Sequence, residues 1–229
     1  MAPIQQMLIG VGAKKKTYVN DVFSTYLYRG NSTAGRAINN GIDLSGEGGM
    51  TWIKARTADS HALFDTSRGV TKGISSNTDG TESTDTDSLT SFNSNGFSLG
   101  TGYTNFATNL NNFNYSSWSF RKAKGFFDVV TYTGTGTSTN ADGHLDINHS
   151  LGSIPAMVIV KRTSGNSNWW VWHRNLDTNS AKAVFINSSN AADSNSGYWN
   201  GTAPTASQFT VGEYANVSGS TYVAYLFAG

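Results

Sequence analysis

Phe23-Ser-Thr-Tyr-Leu-Tyr28-Arg-Gly30 and Phe127-Asp-Val-Val-Thr-Tyr132-Thr-Gly134 begin the two halves of this chain in nearly the same way. Outward from these stretches, Trp52-Ile53-Lys54-Ala-Arg56-Thr57 is matched by Val158-Ile159-Val160-Lys-Arg162-Thr163, and Phe97-Ser-Leu-Gly100 by Phe209-Thr-Val-Gly212. Each half closes on alternating apolar residues, Trp118 and Phe120 in the first and Val223, Tyr225 and Phe227 in the second. The order is kept at a spacing of about a hundred residues, the size of a domain and not of a solenoid repeat. The reading is an internal duplication: an N-terminal arm over residues 1–20, a first module over 21–125 and a second over 126–229.

Composition sets the fold class. Of 229 residues, 38% are hydrophobic and only 14% charged, where an ordinary soluble domain carries about 25% charged. Ser, Thr, Asn and Gly take the place of the missing charge, and helix formers are scarce. With 25 Gly and 3 Pro, the chain suits strands joined by tight turns. The alternation predicts strands at 22–28, 50–56, 61–65, 89–92, 96–99 and 116–121, then at 127–133, 144–148, 156–162, 168–173, 182–187, 207–212 and 220–228. No segment of helical length shows a helical period. The expectation is all-β: two tandem β-sandwich or jelly-roll modules, closely abutting because Phe126 follows Gly125 with almost no linker. Ser75–Ser88 is polar and acidic and predicts an exposed loop.

The formal net charge of +1 gives no electrostatic case for nucleic acid or a membrane surface as partner. No run approaches the about 20 apolar residues of a membrane span, and without cysteine there is no disulfide framework and no thiol chemistry. The arm carries an apolar patch, Met7, Leu8, Ile9 and Val11, suited to an assembly contact, followed by Lys14-Lys15-Lys16.

Catalytic signatures are weak. Asp43 with Glu47, or Asp59 with Asp65, could serve as a carboxylate pair for sugar hydrolysis, but pairing of such acids with Arg56, Arg68 or Arg162 accounts for them equally well. Serine chemistry lacks a Gly-x-Ser-x-Gly turn. His144 and Asp146 share a strand face while His149 lies opposite, a poor zinc set. The acidic stretch holds Asp79, Glu82, Asp85 and Asp87, the first place to look for a hard cation, without the spacing of a helix-flanked calcium loop. The expectation is no enzyme, no metal and no cofactor. Aromatics are the remaining constellation. Alternation puts Trp170 and Trp172 on the core face of one strand and Trp169 on the other. Trp169, with Tyr198 and Trp199 in a turn-like segment, therefore becomes the candidate binding set for sugar rings or protein partners.

The run Ile147-Asn-His-Ser-Leu151-Gly-Ser-Ile-Pro155-Ala-Met157-Val-Ile-Val-Lys-Arg162-Thr, with Val171-Trp172-His173-Arg174, Tyr198-Trp199-Asn200 and the terminal Tyr222-Val-Ala-Tyr-Leu-Phe-Ala228, resembles a module of tailed-bacteriophage virion proteins of the marine and cyanophage type. Ile42-Asp-Leu-Ser-Gly-Glu-Gly-Gly49, Trp52-Ile-Lys54 and Phe64-Asp65-Thr-Ser-Arg68-Gly69 resemble its companion module. The resemblance implies a lectin-like sandwich in a virion structural or tail-fibre-like protein, with no catalytic residues to carry over. Its partners would be other virion proteins, further copies of itself in a homo-oligomer such as a trimer, and a host-surface glycan. It would be made in the host cytoplasm and displayed outside the particle. A capsid decoration (cement) protein and a free carbohydrate-binding module or glycosidase are the alternatives.

Overall fold

Alternating side chains build the sheets. The computed structural model describes residues 17–56, 61–136, 143–177 and 179–229; the patch Met7, Leu8, Ile9 and Val11, and Asp59, lie outside these. The first half holds β1 (Phe23–Arg29), β2 (Arg36–Asn39), β3 (Gly49–Ala55), β4 (His61–Asp65), β5 (Lys72–Gly73), β6 (Ser83–Thr84), β7 (Leu89–Asn93), β8 (Gly96–Leu99) and β9 (Asn114–Arg121). The second holds β10 (Phe127–Thr133), β11 (Leu145–Asn148), β12 (Pro155–Arg162), β13 (Trp169–His173), β14 (Lys182–Phe185), β15 (Asp193–Ser194), β16 (Gln208–Val211) and β17 (Thr221–Ala228). Among the described residues the α-helices are single turns, α1 (Val19–Val22) and α2 (Ser196–Trp199). The fold is all-β.

Strand order repeats between the halves. The larger sheet of the first half runs β1-β9-β3-β4, and that of the second begins β10-β17-β12-β13 before continuing through β14 and β15. A smaller sheet faces each, β2-β8-β7 in the first half and β11-β16 in the second. Each half also stacks a tyrosine pair from its first and last strands: Tyr28 on Tyr115 with ring centroids 4.9 Å apart, and Tyr132 on Tyr222, likewise 4.9 Å. Leu110 N–H donates to the Tyr115 hydroxyl and Val217 N–H to that of Tyr222, both over 3.0 Å. Tyr28 and Tyr132 in turn donate to the carbonyls of Thr108 and Ala215. These bonds satisfy backbone groups of the loop entering the last strand of each half, which no ladder reaches.

Three apolar layers separate these four sheets, and a fifth, β5-β6, is a two-stranded pair in the first half. Ile38, Leu89, Phe97 and Leu99 of the small first sheet meet Ile53, Ala62, Phe64 and Tyr115 of the large one. Ile147, Phe209 and Val211 meet Val158, Val160, Trp170, Trp172 and Leu226 in the second half. Between the halves the two large sheets pack face to face through Met50 and Leu63 on one side and Phe127, Val129, Ile159, Trp169, Val171, Val223 and Tyr225 on the other. The central strands of the large sheets are therefore covered on both faces, which is why β12 (Pro155–Arg162) and β13 (Trp169–His173) carry apolar residues at successive positions instead of strict alternation with polar ones.

Ser75–Ser88 departs from the exposed loop its composition predicts. Asn77, Thr78, Asp79 and Thr81 do face solvent, but the backbone is tied to the second half. Ser167 N–H donates to the Asp79 carbonyl over 2.9 Å, and Glu82 N–H to the Thr163 carbonyl over 3.0 Å. Lys161, fully buried, donates through Nζ to the Asp79 and Ser167 carbonyls, each at 3.0 Å. Hydropathy reports on side chains, whereas this segment is tied to the second half through its main chain.

Candidate functional site

The aromatic set expected to face outward is interior. Trp169 is 0% exposed and lies in the layer between the halves, its indole N–H shared between the carbonyls of Ser75 and Thr78 at 3.1 and 3.2 Å. Tyr198 and Trp199 belong to α2, which Asn195 caps by accepting the Gly197 N–H, and they fill the core of the second half. Trp199 donates to the Lys182 carbonyl and Tyr198 to Asp193 Oδ2, over 3.1 and 2.6 Å. Rings with so little exposed surface have no face to offer a ligand. Period-two alternation correctly put Trp170 and Trp172 in the core; it placed Trp169 opposite them, where a second sheet covers it.

The acidic stretch disperses into bracing roles. Asp85 is buried and accepts from the N–H groups of Asp87, Ser88 and Phe106 and from the hydroxyls of Ser88 and Thr104. Burial works against its charge, but the Thr104 hydroxyl and the Asp87 and Ser88 donors outweigh it and hold the pKa below the usual carboxylate range. Asp87 is lowered too, first by the Thr101 hydroxyl. Glu82 pairs with Arg68 at 3.2 Å and Lys72 at 3.6 Å, while the Asp79 carbonyl carries the Lys161 and Ser167 contacts. Among the described residues no three His, Asp or Glu side chains converge as a metal-ligating group.

Asp65 and Arg68 form a charged node where the halves meet. Arg68, 3% exposed at its side chain, donates from Nε to Asp65 Oδ2 at 2.5 Å, from Nη1 to Glu82, and from Nη2 to the Leu63 carbonyl and the Tyr225 hydroxyl. Tyr225 donates to Asp65 over 2.8 Å. Desolvation alone would favour a neutral guanidine, but Tyr225, Asp65 and Glu82 raise the pKa and hold the charge. Every member has partners, so the node works as a joint between the halves.

A different arrangement occupies the open end of the second half, where the β12–β13 turn meets the loop between β16 and β17. Arg162, Asn166, Ser167, Trp170, Glu213, Tyr214 and Val217 line a cleft of about 510 Å³, within the range of small-ligand sites. Arg162 Nε is buried without a hydrogen-bond partner, and among the described residues no carboxylate pairs with the guanidinium. Tyr214, 39% exposed, packs edge-on to Tyr198 at 5.1 Å and accepts at its hydroxyl from Asn195 over 2.9 Å. Two glycines let these walls lie flat: a Cβ on Gly165 would sit 2.9 Å from Arg162 Cζ, and one on Gly197 would sit 2.9 Å from the Tyr214 ring. Sequence reasoning passed over this site. In the sequence Arg162 reads as a partner for acids, and Tyr214 falls in a short Glu213–Ala215 turn with no period to mark its face.

The family model for a domain of unknown function, DUF7483, matches residues 19–229. No curated protein and no solved structure matches the chain.

Proposed function

The chain belongs to the DUF7483 family, and we propose that it is a non-catalytic structural protein on the exterior of a tailed-phage particle, a tail appendage or fibre-like subunit that engages the host surface or neighbouring virion proteins. The virion assignment draws on the sequence resemblance of both modules. The observation that carries the non-catalytic part is the employment of the buried carboxylates. General acid–base work needs a carboxyl free to exchange a proton beside a substrate. Asp65 is bound into the joint, Asp85 braces its loop, and buried Asp128 pairs with Lys122 at 2.9 Å while accepting the Ser150 N–H at 2.7 Å. Back-to-back sandwiches sharing a middle apolar layer make a stiff block, and stiffness suits a part that must hold its loops at a fixed place on a particle.

Antibodies raised against the folded chain, imaged on intact particles of the virus that encodes it, test the reading. Label on the tail supports it. Dense label over the head instead favours capsid decoration, and a chain missing from purified particles overturns the virion assignment altogether.

A further inference from the structure

We infer that the Arg162–Tyr214 cleft binds a carboxylated sugar, a uronic-acid unit of a polysaccharide, with the sugar carboxylate on the guanidinium. The reasoning starts from what is unmet. A guanidinium carries five N–H donors in a planar fork, and a buried donor without an acceptor costs free energy unless something external completes it. Here Nε of Arg162 has no partner, and the side chain lines an open cleft. Among the described residues, buried Arg68 also lines a cleft but is fully engaged with Asp65, Glu82 and Tyr225, whereas the half-buried Arg162 has no carboxylate partner.

The remaining lining selects the ligand. A carboxylate presents two oxygens at the spacing of the guanidinium fork and takes both hydrogen bonds at once. Tyr214, exposed at the cleft wall, contributes ring surface against which the apolar face of a pyranose can lie. The Asn166 amide can both donate to and accept from hydroxyls, and the exposed carboxylate of Glu213 accepts from them. Glu213 also orients the sugar: two carboxylates repel, so the ligand's acid group must point to Arg162 and its hydroxyls to Glu213. The frame is rigid before any ligand arrives. Ser167 is fixed by Asp79 and Lys161, Tyr214 by Asn195 and Tyr198, and Val217 N–H by the Tyr222 hydroxyl. Such preorganisation lowers the ordering cost of binding.

This assignment rests on the reading that the protein engages the host surface, yet it is tested without particles. The full chain is titrated calorimetrically at low salt with oligogalacturonate and with a neutral oligosaccharide of equal length. Saturable binding of the acidic glycan, with the neutral one at least about tenfold weaker, is expected. Arg162→Gln should remove that preference, and Gly165→Ala, which pushes the guanidinium aside, should weaken uronate binding while leaving Arg162 charged. Glu213→Gln should retain it. Equal affinity for both glycans, no binding of either, or an undiminished response from a folded Arg162→Gln chain overturns the proposal; unfolding midpoints of each variant establish that the fold is intact. If uronate binds but antibody fails to mark particles, the site stands and the virion reading falls.

Discussion

The phenol of Tyr225 donates to Oδ2 of Asp65 over 2.8 Å, closing the last strand of the second half onto β4 of the first. Both groups are buried, and burial drives the phenol well above its ordinary pKa, so the bond keeps its proton on Tyr225 across the physiological range. Arg68 binds both residues. Three groups, from β4, the turn after it and β17, thus satisfy one another where the halves meet.

Removing one of them should expose that dependence. Tyr225→Phe is expected to cost about 1–3 kcal/mol, the range for a lost buried hydrogen bond. Arg68→Met should cost about 3–5 kcal/mol, because it leaves Asp65 as an uncompensated buried charge. Urea unfolding with an unchanged slope measures both, and the double variant should be less destabilised than the sum of the two. Additive losses would show that the node is not a coupled unit.

Trp169 fastens the 75–88 segment by sharing its indole N–H between two carbonyls. Trp169→Ala removes that donor together with a large buried ring and should destabilise by about 3–5 kcal/mol; Trp169→Phe should cost less. The more specific outcome is local. In either variant, proteolysis or hydrogen exchange should speed up across Ser75–Ser88 more than in the β2-β8-β7 sheet on the far side of the first half. A uniform acceleration would mean that the indole contributes bulk and does not anchor this segment.

The contrast between Trp169 and Trp170 shows how far the amino-acid pattern reaches. Alternation identified the strands and separated their faces, because a pleated chain must turn successive side chains opposite ways. It carries no information about what lies over each face, so an inter-sheet layer was legible only as an apolar excess. Residues 75–88 illustrate a second boundary. Their polarity is real, but main-chain carbonyls have no sequence signature, and those carbonyls hold the segment down. Tyr198 and Trp199 illustrate a third, since a one-turn helix is too short to display a period. The Arg162 cleft needed residues 162–170 and 213–217 to meet through folding, and their separation along the chain concealed it.

The twin tyrosine stacks offer a comparison between the halves. Tyr115→Phe and Tyr222→Phe each strip one backbone N–H, at Leu110 and Val217, of its acceptor. Each should cost about 1–3 kcal/mol. Because the two stacks lie in separate cores and share no partner, the double variant should lose the sum to within about 0.5 kcal/mol. A markedly larger loss in one half, measured by urea titration, would show that the second stack is ornamental to its sandwich.

Acid should weaken the second sandwich through His149. Its buried ring accepts the Leu151 N–H at Nδ1 over 3.3 Å, and its Nε2 lies 3.3 Å from the Thr205 carbonyl. Those partners assign the neutral tautomer with the proton on Nε2. Burial lowers the pKa, with the Thr205 carbonyl and the charge of Asp128 offsetting only part of the effect. The unfolded chain takes up a proton near the ordinary value of about 6.5, whereas the folded chain resists until lower pH. Between the two the unfolded state binds more protons, so stability is complete above about pH 6.5 and declines as pH falls through the folded value. His61, lowered by its own burial and by Lys54, adds a loss of the same sign in the first half. His149→Gln should therefore be less stable than the parent at about pH 7.5, where it loses well-fitted partners, and show a shallower decline towards pH of about 5.5. His61→Gln combined with it should flatten that decline further. An unaltered slope in the His149 variant, read from urea midpoints across the same interval, would place the acid-sensitive group elsewhere.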